Sequence, residues 1–251
     1  MILARLSRAF REQNWFAVAV EFVIVIAGVV IGFQITAWNS ARQDRVDETA
    51  FLERLHLDIE LAESLSQRVR ERRLQRIGEI VEAIDILFGR SDADALTDTQ
   101  CAALGASHYY DIYTADLAAF TELTSIGRVG ILRDAELRRA LVQYEQVRSR
   151  LHQLITLLSA EGIALPQLFP DLISVSARHD ASSDEIRNQT SCDLGGMRAN
   201  RHFLNAASAN ADAYDAYVRD GLAPWSDQLD RAHERIDAIL EISHDPEETA
   251  E

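Results

Sequence analysis

The chain has 251 residues, of which 47% are apolar and 26% are charged, and only 4 prolines and 11 glycines interrupt it. This composition favours long helices over strands and turns. All 25 basic residues are arginines, which excludes Schiff-base and phosphate-loop lysine chemistry. Because residues 1–45 carry +2 of the net charge of −15, residues 46–251 carry −17, and we expect no nucleic-acid partner.

An apolar segment of 24 residues, 15–38, lies near the N-terminus. As a helix it extends about 36 Å, enough to cross a hydrocarbon core of about 30 Å. Trp15 and Trp38 mark its two ends, where tryptophan suits the membrane interface. The segment is too long for a signal-peptide core and no small-x-small cleavage site follows it. We therefore predict an uncleaved, single-pass signal anchor with the lipid bilayer as its first partner.

The distribution of arginines around this span favours a cytoplasmic N-terminus. Three basic residues precede the span and two follow it: Arg5, Arg8 and Arg11, then Arg42 and Arg45. Basic residues are retained on the cytoplasmic side. We expect residues 1–14 to be a short cytoplasmic N-terminus. The C-terminal domain is then periplasmic, at the inner membrane of a Gram-negative bacterium.

Polar and small residues within the span predict a contact with a second transmembrane helix. Gly28 and Gly32 form a small-xxx-small pair, and Glu21 precedes Gly28 by seven residues on the same face. Gln34 adds a second polar group to the predicted contact set. An ionisable residue in a membrane usually meets a partner, which predicts a homo-oligomer or a membrane-protein partner. Alternatively, Glu21 reaches the inner interface and the glycines are merely tolerated.

The same segment carries a family resemblance. Residues 21–39 resemble the anchor of a family of uncharacterised bacterial single-span membrane proteins, a domain of unknown function. The shared positions are a glutamate, a glycine seven residues later, a glutamine and a final Trp-Asn pair: Glu21, Gly28, Gln34, Trp38 and Asn39. The resemblance implies a bacterial inner-membrane protein and implies no activity.

A second stretch, about 118–146, resembles the family's other signature, which is aromatic-x-x-Leu-x-x-Ser-Gly followed by an apolar helix ending in tyrosines. The matching residues are Phe120, Leu123, Ser125, Gly127, Ile131, Leu132, Leu137, Leu141 and Tyr144. Two positions depart from the pattern: Ile126 is inserted between serine and glycine, and Glu145 replaces a second tyrosine.

The rest of the chain reads as helices in succession. Apolar residues at three- and four-residue steps predict a long helix over 41–89, continuous with the anchor. Further breakers and caps predict the other elements: short helices within 91–132, a long helix after an N-cap at Asp134, an irregular segment over 162–183, a helix from about 194 to 219 that stops at Gly221, and a last helix opened by Pro224.

These elements predict an all-α fold, in which an N-terminal transmembrane helix continues into a long-helix antiparallel bundle of four to five helices. The bundle domain covers 39–243. Residues 244–251 are predicted to form a disordered acidic tail.

Two cysteines, Cys101 and Cys192, are the only ones in the chain. In an oxidising periplasm they could form a disulfide. The alternative is a pair of separate buried thiols.

Two clusters are candidates for ligand binding. Arg68, Arg72 and Arg76 share one face of the long helix and could form a ridge for an anion or an acidic partner, or else a solvated face paired with acids. An aromatic cluster could line a pocket between helices or belong to the core: His108, Tyr109, Tyr110, Tyr113 and Phe120.

The spacing acid-x-x-His occurs three times, and helical di-metal sites use it: Glu53 with His56, Asp230 with His233, and Glu241 with His244. These acids lie among polar residues, so we expect solvated helix faces, no bound metal, no cofactor and no catalytic residue.

The sequence thus favours a membrane-anchored helical protein-interaction or accessory module without catalytic activity. One alternative is a periplasmic sensor or ligand-binding bundle that signals through a membrane partner. The other is a metal-dependent enzyme that uses the acid-x-x-His pairs.

Overall fold

The computed structural model describes residues 15–110, 116–180 and 185–243. The predicted cytoplasmic N-terminus and acidic tail, 1–14 and 244–251, lie outside the described residues. The elements follow in chain order: α1 (Trp15–Leu87), α2 (Asp98–Gly105), α3 (Ala118–Ser125), a 3-10 turn (Val129–Ile131), α4 (Ala135–Glu161), α5 (Leu165–Leu168), β1 (Ile173–Asp180), β2 (Glu185–Cys192), α6 (Leu194–Ala199), α7 (Arg201–Ala216), a π-helical segment (Tyr217–Leu222) and α8 (Ala223–Leu240). The fold is the predicted all-α fold with one small sheet added.

The chain divides into two compact units, Met1–Phe51 and Leu52–Glu251. The described part of the first unit is the N-terminal portion of α1. Its most apolar stretch is exposed throughout, and α1 is the one described helix that is long and apolar enough to cross a membrane. Its large apolar side chains expose 41–77% of their surface between Phe16 and Trp38.

In the second unit, the predicted periodicity of α1 is realised as a buried stripe. The buried positions recur at three- and four-residue steps for most of the helix: Leu52, Leu55, Ile59, Ala62, Val69, Ile80, Ala83 and Leu87. The helix ends where Gly89 adopts a left-handed conformation with φ of +67°. Arg198 donates a hydrogen bond of 2.7 Å to the carbonyl oxygen of Ile86 at this end, where a cation suits the helix dipole.

α8 runs antiparallel to α1 within this unit. His56 contacts Asp237, and Glu63, further along α1, contacts His233, which is earlier in α8. The two helices therefore run in opposite directions. Burying two apolar stripes against each other supplies most of the stability of such a pair.

α4 packs along α8, and its start matches the prediction. The carboxylate of Asp134 accepts a hydrogen bond of 2.7 Å from the backbone NH of Leu137, as an N-cap residue does. At the other end of the pair, Gly221 packs against Leu151 so closely that an added Cβ would lie 2.8 Å from a Leu151 methyl. Gly221 therefore permits close helix packing.

The prediction that a helix stops at Gly221 is wrong. The chain passes from α7 through the π-helical segment into α8 without leaving helical geometry. Pro224 lies in the first turn of α8, directly after the π-helical segment. The predicted helix over 194–219 is also divided, because Asn200 ends α6 and caps α7 through the NH of Phe203.

The predicted irregular segment over 162–183 is partly regular. It contains α5 and the strand β1, which pairs with β2 as an antiparallel hairpin in which Ile173 lies opposite Cys192. Most hairpin side chains are exposed, and Ile173 is the apolar residue that joins the core, beside Leu104, Leu165 and Phe203.

Candidate functional site

A cavity of about 560 Å³ lies in the second unit, where α1, α2, the start of α5 and the hairpin meet. A volume of this size matches a small-molecule site. Its walls combine charged, amide, aromatic and small apolar side chains: Arg72, Gln75, Arg76, Glu79, Thr99, Ala102, Ala103, Gly105, Ala106, His108, Tyr109, Pro166, Gln167, Val175, Asn188 and Thr190.

The α1 wall of the cavity comes from one helix face. Arg72, Gln75, Arg76 and Glu79 follow steps of three and four residues, which place them side by side. The carboxylate of Glu79 accepts a hydrogen bond of 3.1 Å from the Thr99 hydroxyl. Arg72, Arg76 and Glu79 therefore line the same wall, and the Glu79 carboxylate already has a hydrogen-bond donor.

The predicted arginine ridge is divided by this geometry. Arg72 and Arg76 line the cavity, whereas Arg68 lies beside a neighbouring depression, which Arg72 also borders. The Nε of Arg68 donates a hydrogen bond of 3.1 Å to the carbonyl oxygen of Ser64 in its own helix. Arg68 therefore lies outside the cavity, although it has the same side chain as the two cavity arginines and belongs to the same helix.

The N-terminal half of α2 is held in place by side-chain contacts and a disulfide. Thr97 and Gln100 form a capping box at its start, with side chain to backbone bonds of 3.0 and 3.1 Å. The Gln100 amide also donates a hydrogen bond of 2.9 Å to the carboxylate of Glu82 on α1. The structure joins the two cysteines, Cys101 of α2 and Cys192 of β2, in the disulfide that the sequence suggested.

The close approach of α2 to the hairpin is visible at Gly105. A Cβ on Gly105 would lie 3.3 Å from the Thr190 methyl, closer than most real contacts. The disulfide and this close packing hold the two walls that contribute Thr99 and Asn188 to the cavity.

An aromatic pair completes the cavity. The rings of His108 and Tyr109 lie 3.9 Å apart. The buried Nδ1 of His108 has no hydrogen-bond partner among the described residues. Burial lowers the pKa of His108 below its ordinary value, which favours the neutral imidazole.

The remaining aromatic residues of the predicted cluster lie elsewhere. Tyr110 and Phe120 are buried in the core, and Tyr113 lies outside the described residues. Tyr110 packs edge to face on Tyr217, with ring centroids 5.4 Å apart. Burial raises the pKa of Tyr217 to about 12, while the buried guanidinium of Arg73 acts in the opposite direction.

The acid-x-x-His pairs, which we expected on solvated helix faces, differ in exposure, because Glu53 is exposed whereas His56 is buried. The pair Glu241–His244 falls partly outside the described residues. The imidazoles His56 and His233, although 177 residues apart in sequence, lie with their Nε2 atoms 3.3 Å apart. A hydrogen bond to Glu63 raises the pKa of His233, and burial opposes this shift. Burial and the charge of Glu63 raise the pKa of Asp230.

The residues that do lie close together follow a different spacing, in which the acid comes four residues after the histidine. His56 with Glu60, and His233 with Asp237, are each four residues apart and interact along their helices. His56, Glu60 and His233 each present one ligand atom, and these atoms all lie within 4.8 Å of one another. The His-x-x-x-acid spacing at both positions was the sequence signal for this cluster.

In the apolar stretch of α1, Glu21, Gly28 and Gly32 lie on one helix face. A Cβ added at either glycine would have no atom within 4 Å, so none of the described residues of the first unit covers the two glycines. Gln34 lies about 140° around the helix from Glu21 and belongs to a different side. The Trp38 side chain is 65% exposed, and the Trp15 side chain lies outside the described ones.

The arginine pair of the cavity was anticipated by the sequence, but its association with His108, Tyr109 and the hairpin was not. The hairpin contributes Val175, Asn188 and Thr190, and these residues carried no signal of their own. The family resemblance stays a prediction, because comparison with protein-family models, with curated proteins and with solved structures gave no match for this chain.

Proposed function

We propose that this chain is a single-pass membrane protein of a bacterial inner membrane, with a cytoplasmic N-terminus and a periplasmic helical domain. The exposed apolar stretch of α1 supports the membrane assignment, because such a surface is stable only in an apolar environment. The arginine distribution around the span supports the orientation. The disulfide between Cys101 and Cys192 suits an oxidising compartment.

The function we propose for the periplasmic domain is the binding of a small anionic molecule, without a catalytic step. The observation that carries this proposal is the cavity with Arg72 and Arg76 on one wall. Guanidinium groups bind carboxylates and phosphates in charge-assisted, often bidentate hydrogen bonds. Their position in a chain of net charge −15 makes this cavity a local exception to the acidic surface.

The opposite face of the cavity defines the rest of the ligand. Ala102, Pro166 and Val175 offer apolar contact there, and the amide of Asn188 offers hydrogen bonds, as does the Gln75 amide on the arginine wall itself. A ligand with one carboxylate or phosphate and a short apolar or polar body fits this combination. Free inorganic anions satisfy only the arginine wall, so we expect them to bind more weakly.

The test is a thermal-shift screen of the full chain in detergent, with small dicarboxylates, amino acids and phosphorylated metabolites as probes. Binding to the folded state raises the melting temperature as the ligand concentration exceeds Kd. Changing Arg72→Gln or Arg76→Gln removes a charge-assisted contact. We expect each change to weaken the best probe about tenfold or more.

Arg68→Gln is the matched control, because it removes the same charge from the same helix outside the cavity. The control should retain the wild-type affinity. If Arg68→Gln weakens binding of the probe as much as Arg76→Gln does, the effect is one of general charge, and binding in the cavity is contradicted.

A second candidate function is assembly with another transmembrane helix through the face of Glu21, Gly28 and Gly32. The observation that favours it is that no described residue of the first unit places an atom near the two glycines. Small residues allow two helix backbones to approach closely, and the partner is a second copy or another membrane protein. This function is compatible with ligand binding, because it uses a different segment.

The double change Gly28→Leu and Gly32→Leu tests this assembly by crosslinking in native membranes. Leucine side chains would separate the helices, and we expect the crosslinked species to disappear. The matched control is Val29→Leu with Val30→Leu, which adds bulk on neighbouring positions that are 54% and 46% exposed. An unchanged crosslinking pattern in the glycine variant would show that this face is not the contact.

A further inference from the structure

Three ligand-type atoms meet between α1 and α8, away from the arginine cavity. The Nε2 atoms of His56 and His233 are 3.3 Å apart. The Oδ1 of Asp237 lies 3.0 Å from the first and 3.5 Å from the second. Two imidazole nitrogens and one carboxylate oxygen therefore form a nearly equilateral triangle.

The size of this triangle fits a single metal ion. Edges of 3.0, 3.3 and 3.5 Å define a circle of radius about 1.9 Å, just below the Zn–N and Zn–O bond lengths of about 2.0–2.2 Å. One ion slightly above the plane of the three atoms is thus at bonding distance from all of them. Tetrahedral Zn²⁺ places its ligands about 3.3–3.4 Å apart, so no side chain has to move by more than a few tenths of an ångström.

The other nitrogen of each histidine faces a glutamate of α1. The Nδ1 of His233 lies 2.6 Å from Glu63, and the Nδ1 of His56 lies 3.8 Å from Glu60. Metal-binding histidines regularly donate their second NH to a carboxylate, which fixes the tautomer and makes the metal-binding nitrogen more basic. Both imidazoles have Nε2 on the side of Asp237 and Nδ1 on the side of a glutamate. The His233–Glu63 distance is that of a hydrogen bond, whereas His56 and Glu60 are at ion-pair distance.

The charges of the cluster also favour a cation. Glu60, Glu63 and Asp237 bring three carboxylates to two imidazoles. Carboxylates held this close repel one another, and a divalent ion offsets that repulsion. The side chains of His56 and Asp237 are 9% and 17% exposed, so the charges are only weakly screened by water.

We propose that His56, His233 and Asp237 bind one divalent transition-metal ion of the zinc type, with Glu60 and Glu63 as positioning residues. Imidazole and carboxylate ligands select zinc, iron, nickel or copper over magnesium and calcium. Because the ligands come from the start of the second unit and from the last helix, the ion joins two segments separated by 177 residues. This site is separate from the proposed ligand cavity, and neither proposal depends on the other.

The test uses the full chain in detergent, purified through a streptavidin-binding tag that adds no histidine, and stripped of metal with EDTA. Titration with Co²⁺ reports the site directly, because imidazole and carboxylate ligands in a tetrahedral site give visible ligand-field bands. We expect one equivalent of Co²⁺ per chain, displaced by one equivalent of Zn²⁺. Zinc should also raise the melting temperature.

Variants assign the ligands. His56→Ala, His233→Ala and Asp237→Asn should each abolish the saturable bands, whereas Glu63→Gln should weaken affinity about 10–100-fold by removing an orienting carboxylate. Glu53→Gln, the exposed acid three residues before His56, should bind like the wild type. Wild-type protein without saturable Co²⁺ or Zn²⁺ binding would overturn the proposal, whatever the variants do. Unchanged binding in the His56→Ala, His233→Ala double variant would overturn it equally.

Discussion

The carboxylate of Asp134 connects two helices of the domain. It caps α4 through the NH of Leu137, and it accepts a hydrogen bond of 3.0 Å from the Nε of Arg235 on α8. The bond from Arg235 is the main reason that the pKa of Asp134 falls to about 2, and the bond from Leu137 adds to this shift. The ionised form of Asp134 is therefore favoured by folding.

The pH dependence of stability follows from this depressed pKa. Because the folded pKa lies below the unfolded value, the stabilisation is present above about pH 4 and is lost as the pH falls toward 2. Asp134→Asn keeps a capping side chain but removes the charge. We expect the variant to be less stable by about 1–2 kcal/mol at pH 7 and equal to the wild type near pH 2.

The measurement is denaturant unfolding of both proteins at several pH values, followed by helical circular dichroism. Asp134→Ala, which also removes the cap, should cost about 1 kcal/mol more. A difference between wild type and Asp134→Asn that stays constant from pH 7 to pH 2 would contradict the role assigned to the ionised carboxylate.

Individual residues differ in how far the sequence reveals their role. Asp134 could be predicted because an N-cap is a local feature that depends on the next three residues. The contact between His56 and His233 could not, because the register of two helices depends on packing along their whole length. The acid-x-x-His spacing pointed to Glu53 and Asp230, whereas the clustered acids follow the histidines by four residues.

The disulfide is the covalent link between two elements of the cavity. It joins α2 to the end of β2 across a separation of 91 residues. A loop of this length has a large closure entropy in the unfolded chain, and a native disulfide of this kind contributes about 2–5 kcal/mol. Reduction should therefore destabilise the domain and loosen the walls that carry Thr99 and Asn188.

We expect a reducing agent to lower the melting temperature of the full chain by about 5–15 °C and to weaken binding of an anionic probe. The double variant Cys101→Ser, Cys192→Ser is the control, because its melting temperature should be low and insensitive to the reducing agent. A wild-type melting temperature that the reducing agent leaves unchanged would contradict the structural role of this disulfide.

Helices and the hairpin also differ in predictability. The buried stripe of α1 follows directly from apolar spacing over many turns. The hairpin lacks an alternating apolar pattern, because Val175 and Ile186 are exposed while Ile173 and its neighbours pack at only one end. Two-stranded sheets of this kind depend on their surroundings for stability, so tertiary packing decides the conformation of these residues.

The helix from Arg201 to Leu240 illustrates the same limit. Gly221 and Pro224 are ordinary signals for the end of a helix, yet the chain continues through the π-helical segment. The close contact with Leu151 explains the glycine, since a side chain there would meet α4. A residue that breaks an isolated helix can thus serve packing inside a bundle.

At the scale of the whole molecule, two proposed functions occupy different segments. The proposed anchor is an exposed apolar helix whose two glycines no described residue covers, and the helical domain contains a cavity with two arginines. Composition and hydropathy predicted the long apolar N-terminal helix and the all-α class, because these are properties of long stretches of chain. The cavity could not be predicted, since its walls come from four elements between residues 72 and 190.

The central claim is that the cavity beside Arg72 and Arg76 holds a small anionic ligand. Native mass spectrometry of the full chain, gently extracted from the membranes in which it was produced, tests this claim most directly. We predict a bound anionic small molecule in the wild type and in Arg68→Gln, and its loss from the Arg72→Gln, Arg76→Gln double variant. A bound molecule that persists in the double variant, or a wild-type chain that carries no ligand and gains none with any anionic probe, would contradict it.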